Sequence, residues 1–226
     1  MSNQVIDLLK QLRQAALARN LKALISYHEE DSYLMRFANS AISLNTNEHL
    51  ISIDTIAYDG RKKASYSMIV DPSDTASMEN GLDILVEMLP HAQPLSYDPT
   101  FPVYERDVVD ERAFDPALAD LTNQERLAYF NTLAEGLESD DVKLSGIFAN
   151  GTTTTAQIST ANEFTQFFRA TDAQVTAVLS SESLKWEVNA EQSAQMKKDL
   201  DAESLHADLA LLVHHYQNDE AVQLPV

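Results

Sequence analysis

The sequence predicts an α+β fold of duplicated helix–antiparallel β-meander–helix units, with the sheet or sheets flanked by helices. Three observations carry this. Tyr33–Val70 reads as strands with period two, punctuated at Asn39-Ser40 and Asp59-Gly60, dipeptides that suit tight hairpins. Amphipathic helical stripes stand on both sides of this meander. The second half then repeats the order helix, strands, helix, and Phe37-Ala38-Asn39 recurs as Phe148-Ala149-Asn150, an offset of 111 residues.

In chain order, Gln4 to Arg19 is the first helix, with Ser2 or Asn3 as cap and Val5, Leu8, Leu9, Leu12, Ala15 and Ala16 as its apolar stripe. Leu24 to His28 reads as a short strand, and Glu29-Glu30-Asp31 as an acidic turn into the meander. Within the meander, Leu50–Tyr58 is rich in β-branched residues and Ala64–Val70 returns antiparallel to it. Asp71-Pro72-Ser73 ends the sheet and opens a helix to Leu89, with Met78, Leu82, Leu85 and Leu89 inward and Pro90 at its end.

Pro94, Pro99 and Pro102, interleaved with Tyr97, Phe101 and Tyr104, make 93–114 an extended connection docked by its aromatics. It divides a first repeat, 1–92, from a second, 115–226. In the second, Asp115-Pro116 is a cap followed by proline at the first helical position, and Thr122 to Glu125 spells a capping box. The helix that follows is expected to reach Glu138 and to bury Leu127, Phe130, Leu133, Ala134 and Leu137. Strands are expected at Val142–Phe148, Thr152–Ser159, Glu163–Thr171, Ala173–Leu179 and Lys185–Val188, with Asn150-Gly151 as a turn. A last helix is expected from Glu191 to Tyr216, carrying Met196, Leu200, Leu205, Leu209 and Leu212.

Composition narrows the function. A formal charge of −19 opposes a nucleic-acid surface, which needs clustered Lys and Arg. Zero cysteines remove disulfides, thiolate nucleophiles and thiolate metal ligands. No apolar run nears the ~20 residues of a membrane span, and the N-terminus lacks a signal-peptide core. These features point to the cytoplasm. Few glycines, 5 in all, leave no phosphate-binding loop of the Walker or dinucleotide type.

Chemistry is sparse. His28-Glu29 begins a zinc-protease pattern, but no second histidine follows one turn later. His206 and His214 are eight residues apart on one helix, and His214-His215 point to different faces. No metal ligand set is therefore expected. The acidic runs read as solvated turns, and Thr152-Thr153-Thr154-Thr155 as a solvated strand face. No nucleophile–base pair stands out, so no catalytic residue is nominated.

Arg36-Phe37-Ala38-Asn39-Ser40, a long strand, then Asp59-Gly60-Arg61-Lys62 and Ala64-Ser65-Tyr66-Ser67 resemble the N-terminal domain of the TldD/PmbA family. Glu105-Arg106 and Ser159-Thr160-Ala161-Asn162-Glu163 resemble further short motifs of that domain. The sequence departs from the pattern at Lys63 or Ala64, where glycine is common, and at Glu163, where serine often follows the asparagine. The resemblance covers nearly the whole chain. It implies a group of metallopeptidases of about twice this length, historically called modulators of DNA gyrase. In that group the TldD-type subunit holds zinc through an HExxxH motif in its C-terminal half. The PmbA-type partner lacks zinc, and the pair cleaves unfolded peptides.

Zinc is thus expected only in a C-terminal half beyond Leu224-Pro225-Val226, with no cofactor in this chain. The expected role is pairing with a TldD/PmbA-type subunit, as homo- or heterodimer, and binding of an unfolded peptide through exposed strand edges. Arg36, Asn39, Arg61 and Asn162 are the candidate peptide- or partner-binding residues. Direct nucleic-acid and membrane contacts are not expected. The alternative is a stand-alone structural or regulatory dimerising protein. A weaker third reading is a hydrolase built on His28 with Glu29 or Glu30.

Overall fold

The computed structural model describes residues 2–218. Its elements are α1 (Ser2–Ala18), β1 (Lys22–Ala38), β2 (Ala41–Asp59), β3 (Lys62–Ile69), α2 (Thr75–Met88), β4 (Val108–Ala113), α3 (Pro116–Ala119), α4 (Asn123–Ala134), β5 (Val142–Ser159), β6 (Thr165–Ser181), β7 (Trp186–Ala194) and α5 (Ala202–Asn218). The strands run in the order β3-β2-β1-β5-β6-β4, with β7 also paired to β6. The β2–β3 and β6–β7 pairs are antiparallel, whereas the short β4 joins β6 in parallel. The fold is α+β.

Residues gather into two compact units. One comprises Met1–Asp31, Glu48–Ala113 and Thr152–Ala170. The other comprises Ser32–Asn47, Phe114–Gly151 and Thr171–Val226. Each unit draws on both halves of the sequence, because β1, β2, β5 and β6 each contribute residues to both.

In the first unit α1 places Val5, Leu8, Leu9, Leu12 and Ala16 inward, spaced by the 3.6-residue period. They share a core with Ile25, Ile53, Met78, Leu82 and Leu85, which come from β1, β2 and α2. In the second unit Phe37, Leu133, Leu144, Phe148, Val175, Leu179, Leu205 and Leu209 form the core. The Phe37 and Phe130 rings meet there at 5.0 Å between centroids.

Several elements differ from the sequence reading. Glu29-Glu30-Asp31 is not a turn. It continues β1, because Ala23, Ile25, Tyr27 and Glu29 keep one alternation of buried positions. Asn150-Gly151 is likewise internal to β5, where Asn150, Thr152, Thr154, Ala156 and Ile158 all face inward. The threonine run is therefore half interior and not a solvated face. Glu163–Thr171 and Ala173–Leu179 merge into β6, since Asp172 falls on its exposed side and breaks nothing.

Glu191 lies in β7, paired with Thr176, and the last helix begins only at Ala202. Pairing with β6 outweighs the helix propensity of its Ala, Glu and Gln residues. The helix after the meander starts two residues beyond Ser73, capped by Asp74, whose carboxylate accepts the Ser77 amide at 3.1 Å. The second meander turn is Gly60-Arg61, one residue past the expected Asp59-Gly60, because Asp59 still pairs with Lys62. On α4, Leu127 is 42% exposed and Arg126 is buried in its place.

The duplicated element order holds, with α1-β1-β2-β3-α2 answered by α4-β5-β6-β7-α5. The repeated tripeptide does not mark equivalent places. Asn39 lies in a turn, whereas Asn150 lies inside a strand.

Candidate functional site

Asn39 and Ser40 both have positive φ, 51° and 64°, the geometry of a two-residue hairpin turn in which Asn is tolerated. The turn is tied down from β5. The Ser145 hydroxyl accepts the Asn39 amide at 3.3 Å, and the Ser40 amide donates to the Leu144 carbonyl at 2.9 Å. Asn39 borders an open cavity of about 550 Å³ that also meets Asp141, Lys143, Ser181, Lys185 and Trp186. Asp141 organises its floor by accepting from the Ser181 and Ser183 hydroxyls and the Ser183 amide, which holds its carboxyl below the usual range. Arg36 is exposed on β1, and its carbonyl accepts the Ser43 hydroxyl.

Arg61 is exposed in the β2–β3 turn, 3.6 Å from Asp98, and its carbonyl accepts the Leu95 amide at 2.8 Å. Asn162 ties its own loop to the 93–114 connection. Its amide donates to the Tyr104 carbonyl at 2.5 Å and its oxygen accepts the Phe164 amide at 3.3 Å. Arg61 and Asn162 belong to the first compact unit, Arg36 and Asn39 to the second. The four candidates thus occupy three separate turns or loops and the strand leading into one of them, and they do not share one constellation.

A different cluster appears where the sequence reading placed an acidic turn. Glu29 and Asp31 are two residues apart on β1, and His49 reaches them from β2. The imidazole Nδ1 is 3.0 Å from an Asp31 oxygen and Nε2 is 3.4 Å from Glu29 Oε1. Tyr27 donates its hydroxyl to Glu29 Oε2 at 2.8 Å. Burial and the Glu29 charge together push the Tyr27 phenol well above its usual pKa, so it remains a donor. Glu29 is buried, Asp31 half-buried and His49 exposed. One oxygen or nitrogen from each of Glu29, Asp31 and His49 lies within 4.8 Å of the others, a spacing that could hold a metal ion. A cavity of about 370 Å³ opens beside them, lined by Gln4, Tyr27, Glu29, Ile51, Pro72 and Ser73.

Sequence spacing could not show this group, because His49 is 18 residues from Asp31 and arrives by strand pairing. The alternating Tyr27-x-Glu29-x-Asp31 pattern was its one local signal. Of the two carboxylates considered with His28, Glu29 occupies the adjacent strand position and faces the opposite way, whereas Glu30 lies 3.8 Å from the His28 ring.

Comparison with protein-family models and with curated proteins finds no match. Solved structures do match. A candidate modulator of DNA gyrase from Bacteroides thetaiotaomicron superposes with TM-score 0.71 at 13% identity, covering 96% of this chain and 51% of that one. TldE from Thermococcus kodakarensis gives TM-score 0.66 at 10% identity, covering 92% and 47%. The fold is that of about half of the TldE chain. A second candidate gyrase modulator, from Thermotoga maritima, agrees with TM-score 0.60 at 11% identity over 96% of this chain and 49% of that one. In fold, these neighbours agree with the TldD/PmbA resemblance of the sequence. At such identities the common property is the fold, and this chain spans about half the length of the TldE-fold proteins it matches.

Proposed function

We propose that this chain serves as the N-terminal half of a TldD/PmbA-like protein, pairing with a second subunit and binding an unfolded peptide. In this reading the catalytic zinc belongs to a C-terminal half or to the partner, and the chain cleaves nothing by itself. The observation that carries it is the match of 96% of this chain to about half of a gyrase-modulator structure.

A sheet edge suits the peptide role. The β3 register covers β2 only from Ser52 to Asp59. Residues 41–47 of β2 lie outside that register and are exposed throughout, with Ile42 and Leu44 among the large apolar side chains left in solvent. An uncovered strand of this kind can accept a further strand through main-chain hydrogen bonds. Arg36, opposite in the same hairpin, and Asn39 at its tip would add side-chain contacts. Arg61 and Asn162 would act at other loops. The formal charge of −19 opposes a direct nucleic-acid role, and the cytoplasm is the compartment this reading assigns.

Light scattering with a zinc-bearing TldD-type subunit, run beside a peptidase assay, tests the reading. A defined mixed complex that alone cleaves an unfolded peptide would support it. The exposed Ile42 and Leu44 also fit a stand-alone dimerising protein. A stable homodimer indifferent to the partner would favour that second reading.

A further inference from the structure

The cluster on β1 and β2 has an unbalanced charge. Among the described residues, no Lys or Arg forms an ion pair with Glu29 or Asp31, and the basic side chain within reach of both is His49. Imidazole has two nitrogens, and one hydrogen bond fixes what the other does. If Nδ1 donates to Asp31 at 3.0 Å, Nε2 presents its lone pair to Glu29 Oε1 at 3.4 Å. Both atoms are then electron-pair donors, and a cation bound off the line between them would use both.

The distances suit a metal. Two ligands about 2.05 Å from a tetrahedral ion stand roughly 3.3 Å apart, close to the Nε2–Oε1 separation. The surrounding groups behave as outer partners of a metal ligand do. Asp31 would orient the imidazole from its far nitrogen, and Tyr27 holds the other oxygen of Glu29 at 2.8 Å. The adjoining cavity of about 370 Å³ borders the cluster on the Glu29 and Tyr27 side and is not lined by His49 or Asp31. A nitrogen–oxygen set with one imidazole favours zinc-class divalent ions over calcium or magnesium, which prefer all-oxygen shells.

We propose that Glu29 and His49 ligate a zinc-class divalent cation, with Asp31 and Tyr27 as positioning residues. The inference stands on this cluster and does not rest on the subunit-pairing reading.

Cobalt and zinc titration of the full chain tests it. Cobalt should give a saturable visible absorption band at one equivalent, bleached by zinc. His49→Ala and Glu29→Gln should abolish the band, and Asp31→Asn should weaken binding at least tenfold while keeping the stoichiometry. Should buried Glu29→Gln fail to fold, His49→Ala at the exposed ring still decides the matter, with an apo thermal melt confirming its fold. A cobalt signal that never saturates, or one unchanged in His49→Ala, would overturn the site. So would an imidazole nitrogen NMR spectrum in which both His49 nitrogens stay protonated at a tenfold excess of zinc.

Discussion

Arg126 Nε donates to Asn150 Oδ1 at 2.8 Å, and both side chains are buried at 2% exposure. Nη1 reaches Asn123 at 2.8 Å, the guanidinium lies 4.6 Å from the centre of the Tyr33 ring, and Nη2 has no hydrogen-bond partner among the described residues. The cation thus rests on neutral acceptors and an aromatic face, and burial lowers its pKa from the usual arginine value. Removing the acceptor should cost more than removing the charge. Asn150→Ala is expected to destabilise by about 2–3 kcal/mol, because a buried cation loses its partner. Arg126→Met should cost less, because the desolvated charge goes with the side chain. Urea denaturation of both variants decides the order, and a larger loss for Arg126→Met would refute this account.

Glycine matters most at Gly146. Its φ is +154°, and an added Cβ would stand 2.0 Å from the Thr176 carbonyl oxygen, a backbone atom that cannot step aside. Gly146→Ala should destabilise by about 3 kcal/mol or more. At Gly81 the added atom would meet the Met68 Cε at 1.9 Å, the far end of a flexible side chain. Gly81→Ala should therefore cost under about 1 kcal/mol, since alanine also favours the helix. Thermal melts of the two variants should be well separated.

The α4 cap predicts an acid response. Thr122 and Glu125 form a reciprocal capping box, and Lys197 also donates to Glu125. The Lys197 hydrogen bond, with those from Thr122, lowers the Glu125 carboxyl to about 2. A lowered folded-state pKa gives stability that is fully present above the ordinary carboxylate value. It is lost as pH falls from about 4.5 toward about 2. The difference in melting temperature between wild type and Glu125→Gln should shrink across that window. A difference that stays constant down to the lower limit would count against the linkage. Thr122→Ala should cost about 1 kcal/mol at neutral pH.

Asn39 separates fold from binding. Its left-handed backbone admits Gly freely, so Asn39→Gly should alter stability by less than about 0.5 kcal/mol. Asn39→Val should cost about 1–2 kcal/mol, the steric penalty of a Cβ-branched residue there. If Asn39→Gly keeps its melting temperature yet loses affinity for the partner subunit or peptide, the side chain itself makes the contact. Unchanged affinity would assign Asn39 to the turn alone.

Local chemistry alone determined much of this protein. Asn39-Ser40 closes a hairpin, and Asp115-Pro116 and Thr122–Glu125 begin helices, because each acts on backbone groups within three residues of itself. The period of Val5, Leu8, Leu9 and Leu12 fixed the buried face of α1 for the same reason. Tertiary structure decided what local signals contradicted. Glu29 and Asn150 look like turn residues, yet Glu29 continues the buried alternation of Ala23, Ile25 and Tyr27, Asn150 sits between buried Phe148 and Thr152, and partners await both inside. Glu191 has helix propensity but lies in β7 because β6 offers a ladder. The Glu29–Asp31–His49 cluster could come only from the fold. Strand pairing joins residues that no sequence spacing relates.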